Sequence, residues 1–184
     1  SKKDQIFLSF GDEIGLPPIN FNDPKNLAEF RQWLVQKGVT ADELGMPPAQ
    51  APLIQSGAAR PMWYSNLFNE EKIFSQFRAN SEVARQVFGP QVLTGANYSP
   101  HHLALCYGPI YQWVDLFKHN GMSMFWGEDY IFSVPEAPQI FSWMLSQVRC
   151  GVKYNNQPIH FYIMGHAPGQ EANFLRKNLL MLIG

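Results

Sequence analysis

The sequence is poor in cysteine, with only Cys106 and Cys150 among 184 residues. Two such thiols form neither a disulfide framework nor a zinc ligand set, and Cys150, closing an amphipathic stretch, reads as a buried small residue. Excess charge of one sign is also lacking. Fourteen Lys and Arg face 15 Asp and Glu for a formal net charge of −1. No Lys/Arg cluster is present, which excludes the concentrated positive surface that nucleic acid requires. No apolar run approaches the roughly 20 residues of a membrane helix, so no membrane partner is expected. The opening Ser1-Lys2-Lys3-Asp4 carries no signal-peptide pattern. It carries no initiator Met either, so the natural start is expected upstream and the compartment stays unassigned.

What is present is the material of a core, 46% hydrophobic and 14% aromatic. Short apolar runs at Gln5–Phe10, Gln91–Ala96, Met122–Trp126 and Ile159–Met164 read as strands. Between them the period lengthens. Ile110, Trp113, Val114 and Phe117 fall at helical spacing and stop at Asn120-Gly121. Ile140, Met144, Leu145 and Val148 repeat the pattern up to Gly151, and Glu171–Ile183 carries Leu175, Leu179 and Leu182 on one face. A helix is also expected from about Glu70 to Phe88, with Asn69 as its N-cap.

Strand starts near 91, 122 and 159 are one βα unit apart. Such alternation predicts a parallel sheet flanked by helices, an α/β class. Four βα units are about half of a (β/α)8 TIM barrel of about 250 residues. Residues 1–184 are therefore expected as one partial barrel domain, interrupted at about 25–68 by a helix, Asn26–Lys37, and a long loop, Val39–Leu67. Trp63, Tyr64 and Asn66 in that loop are expected as a substrate wall. Four strands alone leave two open edges, so the remaining barrel segments or a second copy of the chain are expected partners.

An acidic pair twice follows an apolar run: Gly11-Asp12-Glu13 after the first strand and Gly127-Glu128-Asp129 after the third. In parallel sheets ligands bind at the carboxyl ends of strands. Two carboxylates at one such end are the minimum equipment for cleaving a glycosidic bond. The other strand ends add Asn97, Tyr98, Ser99, His101 and His102, then Trp126 and Tyr130, then His166 and the Pro168-Gly169-Gln170 turn. Carboxylates, histidines, an amide and aromatics are the composition of a sugar site, where flat rings stack on pyranose faces and polar groups bind hydroxyls. Each feature also has a plainer structural role. An Asp-Glu pair solvates a loop or caps a helix, and His160, alternating with Ile159 and Phe161, reads as a core histidine. His119 lies where a cation favours a helix C-terminus. Glu70, Glu71, Glu136 and Glu171 read as first-turn dipole partners, and Met122, Met124 and Met164 as core.

The strand-end Asp12-Glu13 resembles the Asn-Glu or Asp-Glu that ends the fourth barrel strand of clan A retaining glycoside hydrolases. The segments Leu93-Thr94-Gly95-Ala96-Asn97-Tyr98 and Phe125-Trp126-Gly127-Glu128-Asp129-Tyr130 are similar to later strands of β-galactosidase-like enzymes related to glycoside hydrolase family 42. The resemblance implies a carbohydrate substrate, no cofactor and no metal, with Glu13 as acid/base. Its protonated form needs an apolar wall or a neighbouring carboxylate. Glu128 then serves as nucleophile, held ionised by hydrogen bonds from Tyr130, His101 or Asn97. Asp12, Asn97, Tyr98, His101, Trp126, Asp129, Tyr130 and His166 would bind substrate. The chain departs from the pattern at one point: the seventh strand of that count ends in Gly165-His166, and Glu128 falls on the sixth.

Two other classes stay open at this level. A metal-dependent barrel hydrolase would use His101, His166, Glu128 and Asp129, although no His-x-His or His-Glu-x-x-His spacing occurs. A non-catalytic sugar-binding or assembly fragment would bind saccharide without turnover.

Overall fold

The computed structural model describes residues 5–12, 14–97, 110–129, 145–146, 148–163, 176 and 179–180. Its elements run β1 (Phe7–Ser9), α1 (Pro24–Gln36), α2 (Ala41–Leu44), a 3-10 turn (Pro48–Gln50), α3 (Ala59–Phe88), β2 (Leu93–Gly95), α4 (Ile110–Lys118), β3 (Phe125–Asp129), a 3-10 turn (Lys153–Asn155) and β4 (Ile159–Ile163). This is an α/β mixture of helices and short parallel strands, divided into two compact units.

Pro17–Ser75 forms one unit. Asp23 accepts from Lys25 N at 2.9 Å and Pro24 supplies the first helical position of α1, where a missing N–H costs nothing. Leu27, Phe30 and Leu34 share one face by their spacing. Phe30 and Leu34 are fully buried with Leu44, Ala51, Leu53 and Phe68, each large side chain contributing about 1.5–3 kcal/mol by leaving water. Thr40 and Glu43 form a reciprocal capping box on α2, and Gly45 closes that helix at φ 79°, a conformation glycine adopts without strain. The Thr40 backbone N–H and hydroxyl, bound to the Glu43 carboxylate, hold its pKa below the ordinary value. The Lys72 ammonium does the same for Glu29.

The remaining unit is Ser1–Leu16 with Gln76–Gly184. β1 pairs with β2 in parallel, Phe7 to Leu93 through Ser9 to Gly95. β3 pairs with β4 in parallel, Phe125 to Ile159 through Asp129 to Ile163. Among the described residues these are two two-stranded sheets, and one parallel bridge, Asn97 to Trp126, joins β2's extension to β3. Nearby, Ser123 N and Met124 N both donate to Thr94 O, at 2.9 and 3.0 Å. Gly95 permits this approach, because a Cβ there would stand 2.5 Å from Met124 O. Thr94 packs its hydroxyl against Ser81 of α3, and Phe125 meets Phe117 of α4 edge-on.

Several expectations are corrected. The third strand is Phe125–Asp129, so Glu128 and Asp129 are its last residues and do not follow it. Met122 is fully buried, yet its neighbours' amides go to Leu116 O and Thr94 O and leave no strand pairing there. α3 starts at Ala59, eleven residues before Glu70. Pro61 lies in its first turn, where no intrahelical donor is lost. Asn69 is thus no N-cap: its Oδ1 accepts from Ile19 N at 2.9 Å. Glu70 and Glu71 are mid-helix, and Glu71 pairs with Lys37 at 2.9 Å. The expected loop at 39–67 contains α2, a 3-10 turn and the start of α3, which carries Trp63, Tyr64 and Asn66. Cys150 is an exposed free thiol. His160 is exposed as well.

Candidate active site

The carboxyl end of β1 meets the extension of β2 at one residue. Asn97, only 2% exposed, follows the buried Gly95-Ala96 and is held by the bridge to Trp126. Its backbone N–H donates to Gly11 O at 3.1 Å, and its carbonyl accepts from Ile14 N at 3.3 Å. Its side-chain Nδ2 donates to Asp12 Oδ1 at 2.8 Å. A carboxylate offers only acceptors, so the amide must turn its NH2 toward Asp12. That orientation leaves Asn97 Oδ1 buried with no hydrogen-bond partner among the described residues, an arrangement that costs about 1–3 kcal/mol in a sealed site.

Trp126 meets Phe7 edge-to-face, ring centroids 5.3 Å apart, and lies in register with His160. A cavity of about 240 Å³ is lined by Gln5, Phe7, Leu93, Met124, Trp126 and His160. These residues belong to the earlier part of the strands, and Asp12 and Asn97 do not line it. The cavity is mostly apolar, and His160 joins it because strand alternation gives it the face of Trp126's partner position. The sequence signal that could have found this role was that alternation itself, since it sets a residue's face without saying whether the face is covered.

The structure brings together Asp12, Asn97 and Trp126 among the expected site residues. Glu128 and Asp129 close β3, their backbones paired with Tyr162 and Ile163. Glu13, Tyr98, His101, Tyr130 and His166 lie outside the described residues. Among the described residues no group of three or more His, Cys, Asp or Glu side chains is disposed to hold a metal ion, and no helix is long and apolar enough to cross a membrane. The three hydrogen bonds between Asn97 and the segment around Asp12, two donated by Asn97 and one by Ile14 N, were not legible locally, because 85 residues separate Asn97 from Asp12.

No family model, curated protein or solved structure matches the chain.

Proposed function

We propose that this chain is part of the (β/α)8 catalytic barrel of a retaining β-glycosidase, β-galactosidase-like in kind. Glu13 is the acid/base, Glu128 the nucleophile, and Asp12, Asn97, Trp126 and Asp129 bind the sugar, with Tyr98, His101, Tyr130 and His166. The observation that carries the reading is the double attachment of Asn97. It bonds to the Gly11–Ile14 segment on one side and bridges to Trp126 of β3 on the other. Two acidic segments far apart in sequence are thereby anchored on parallel strands that run the same way. Strands running the same way support the two acidic segments acting on one bond, for which a retaining pair needs about 5–5.5 Å between carboxyl groups.

The chemistry follows in two steps. Glu13 donates its proton to the leaving oxygen while the Glu128 carboxylate attacks the anomeric carbon. Water, deprotonated by Glu13, then releases the sugar. The test uses the complete barrel protein of which this chain is proposed to be part, with aryl and alkyl β-glycosides. Glu128→Gln should abolish formation of the glycosyl-enzyme. Glu13→Gln should spare that first step for aryl substrates with good leaving groups, which need little protonation, and suppress it for alkyl ones. A complete protein that cleaves no β-glycoside refutes the assignment, as does an undiminished burst in Glu128→Gln.

A further inference from the structure

We propose that Asn120 is a modification site, a spontaneous deamidation site whose rate is gated by the docking of Asn155 and Gln157 on the C-terminal end of α4. Asn120-Gly121 is the only Asn-Gly step in the sequence. Glycine has no Cβ to hinder its backbone nitrogen, so this step is the one best able to turn on the preceding side chain. In the reaction the Gly121 nitrogen gives up its proton and bonds to Asn120 Cγ. The Cγ–Nδ2 bond breaks, the amide nitrogen leaves with a proton as ammonia, and a five-membered imide remains. Water then opens the imide at either carbonyl, to aspartate or isoaspartate.

The fold holds both reacting groups off that path. Asn120 stands in the left-handed region at φ 57°, and Gly121 is buried. Gly121 N donates to Leu116 O at 2.8 Å and Asn120 N to Phe117 O at 3.1 Å, the paired bonds of a Schellman cap. Gly121 O accepts from the Ser81 hydroxyl at 2.8 Å, so the attacking residue is committed through both of its backbone groups. The side chain under attack is committed too. Asn155 Nδ2 donates to Phe117 O at 2.8 Å and Lys118 O at 3.0 Å, and Gln157 Nε2 to Met122 O at 3.0 Å. Backbone carbonyls only accept, so they fix which way both amides point. Asn155 Oδ1 is left to accept from Asn120 Nδ2 at 3.2 Å, while Gln157 Nε2 reaches Asn120 Oδ1 at 3.1 Å. Both polar atoms of the Asn120 amide are thus tied to the segment that leads into β4.

Attack requires Gly121 N to leave Leu116 O and the Asn120 amide to leave its two partners. The rate therefore follows how often the approach to β4 lifts from the end of α4, a local opening that need not involve the whole fold. The reaction does not let the gate re-form. A carboxylate at 120 has no donor for Asn155 Oδ1, and isoaspartate adds a backbone atom to the cap. Asn120 precedes β3, and Asn155 and Gln157 precede β4. The site thus lies at the opposite strand ends from Asp12 and Asn97.

In the experiment the complete protein is aged at mildly alkaline pH, and conversion is read by mass in the tryptic peptide 119–149, where Asn120 is the only asparagine. The folded protein should convert roughly 10-fold or more slowly than the same protein unfolded in guanidinium chloride. Asn155→Ala and Gln157→Ala should each raise the folded rate about 5-fold or more, the effect of one neutral hydrogen bond on opening. Amide exchange at Gly121 should rise alongside. Exchange at Leu93, whose N–H donates to Ile6 O at 2.9 Å, should keep the parent rate, since its acceleration marks loss of the fold. Where a variant accelerates Leu93 as well, the unsubstituted protein decides. Guanidinium chloride below its unfolding transition should raise conversion in step with Gly121 exchange. Equal conversion in folded and unfolded protein overturns the inference. So does a folded pair of variants that converts at the parent rate, or conversion that stays flat in the unsubstituted protein while Gly121 exchange rises.

Discussion

Thr94→Val probes the hydroxyl chain that joins α3, β2 and the approach to β3. Ser81 Oγ donates to Gly121 O at 2.8 Å and lies 2.8 Å from Thr94 Oγ1. Thr94 Oγ1 in turn lies 3.3 Å from Ser123 Oγ, which accepts from Thr94 N at 2.8 Å. Each hydroxyl has one proton. Since that of Ser81 is committed to Gly121, Thr94 must donate to Ser81, and Ser123 must donate to Thr94. Ser81 and Thr94 have no exposure, so water cannot take over a lost partner. Valine keeps the shape of threonine and removes one good hydrogen bond and one long one, stranding the acceptor side of Ser81. At about 1 kcal/mol per neutral bond plus part of a buried-group penalty, the loss should be about 2–3 kcal/mol. A chain of this size then melts roughly 5–10 °C lower. Thr94→Ser keeps every bond and forfeits one buried methyl, about 1 kcal/mol. The assay is thermal unfolding of the parent, Thr94→Val, Thr94→Ser and Ser81→Ala chains with the Ser81→Ala/Thr94→Val double variant. A coupling of about 1 kcal/mol or more is expected from the cycle. A valine variant as stable as the serine variant, or a coupling near zero, would refute the contribution of this hydroxyl chain.

Gly95→Ala should cost about 3 kcal/mol or more, at the upper end of overpacking effects. The added Cβ meets the backbone carbonyl of Met124 at 2.5 Å, which no rotamer change relieves, and the loss should appear in the same unfolding assay. Thr40→Ala should remove the side-chain cap of α2, at about 1 kcal/mol, and raise the Glu43 pKa only part of the way, because the backbone N–H of residue 40, the larger cause of its lowering, stays, a rise followed by carboxyl NMR titration. Because the Thr40 hydroxyl adds to the backbone N–H in depressing that pKa in the folded chain, its share of the linked stability is present above the unfolded-state pKa. It is lost as pH falls through the folded-state value. The parent should therefore lose more stability on acidification than Thr40→Ala does, and parallel acid profiles would contradict the cap.

Legibility followed the range of the signal. β4 was readable as Ile159–Met164 and is Ile159–Ile163, because a β-branched and aromatic run bounded by Pro158 has few other uses. α1 differs from its expected bounds by a residue or two. The start of α3 was obscured by Arg60-Pro61-Met62, which reads as a breaker unless it falls in a first turn. The third strand was displaced because Met122 and Met124 are apolar enough for a strand, while the local backbone is spent on Leu116 and Thr94. Of the site, the polar character of Asp12 and Asn97 was legible and their bond was not, since pairing over 85 residues is a tertiary property. His160 showed the converse limit: alternation assigned its face, but the cover on that face is not written in β4.

The wide spacing of β1 and β2 bears on the order in which the chain folds. Phe7 cannot pair until Leu93 has been made, so during synthesis a strand bearing Phe7 and Leu8 waits with its edge unpaired. Pro17–Ser75 is complete earlier, and its Ile19–Asn69 bond brings the two ends of the intervening segment together. That closure more than halves the effective loop between the strands. By loop-closure entropy this is worth roughly 0.8 kcal/mol, or about a fourfold gain in encounter of β1 with β2. The inserted unit therefore works as an internal staple for the sheet that surrounds it in sequence. Weakening it, with no residue of the sheet altered, should lengthen the time for which the first strand is open to association with other chains.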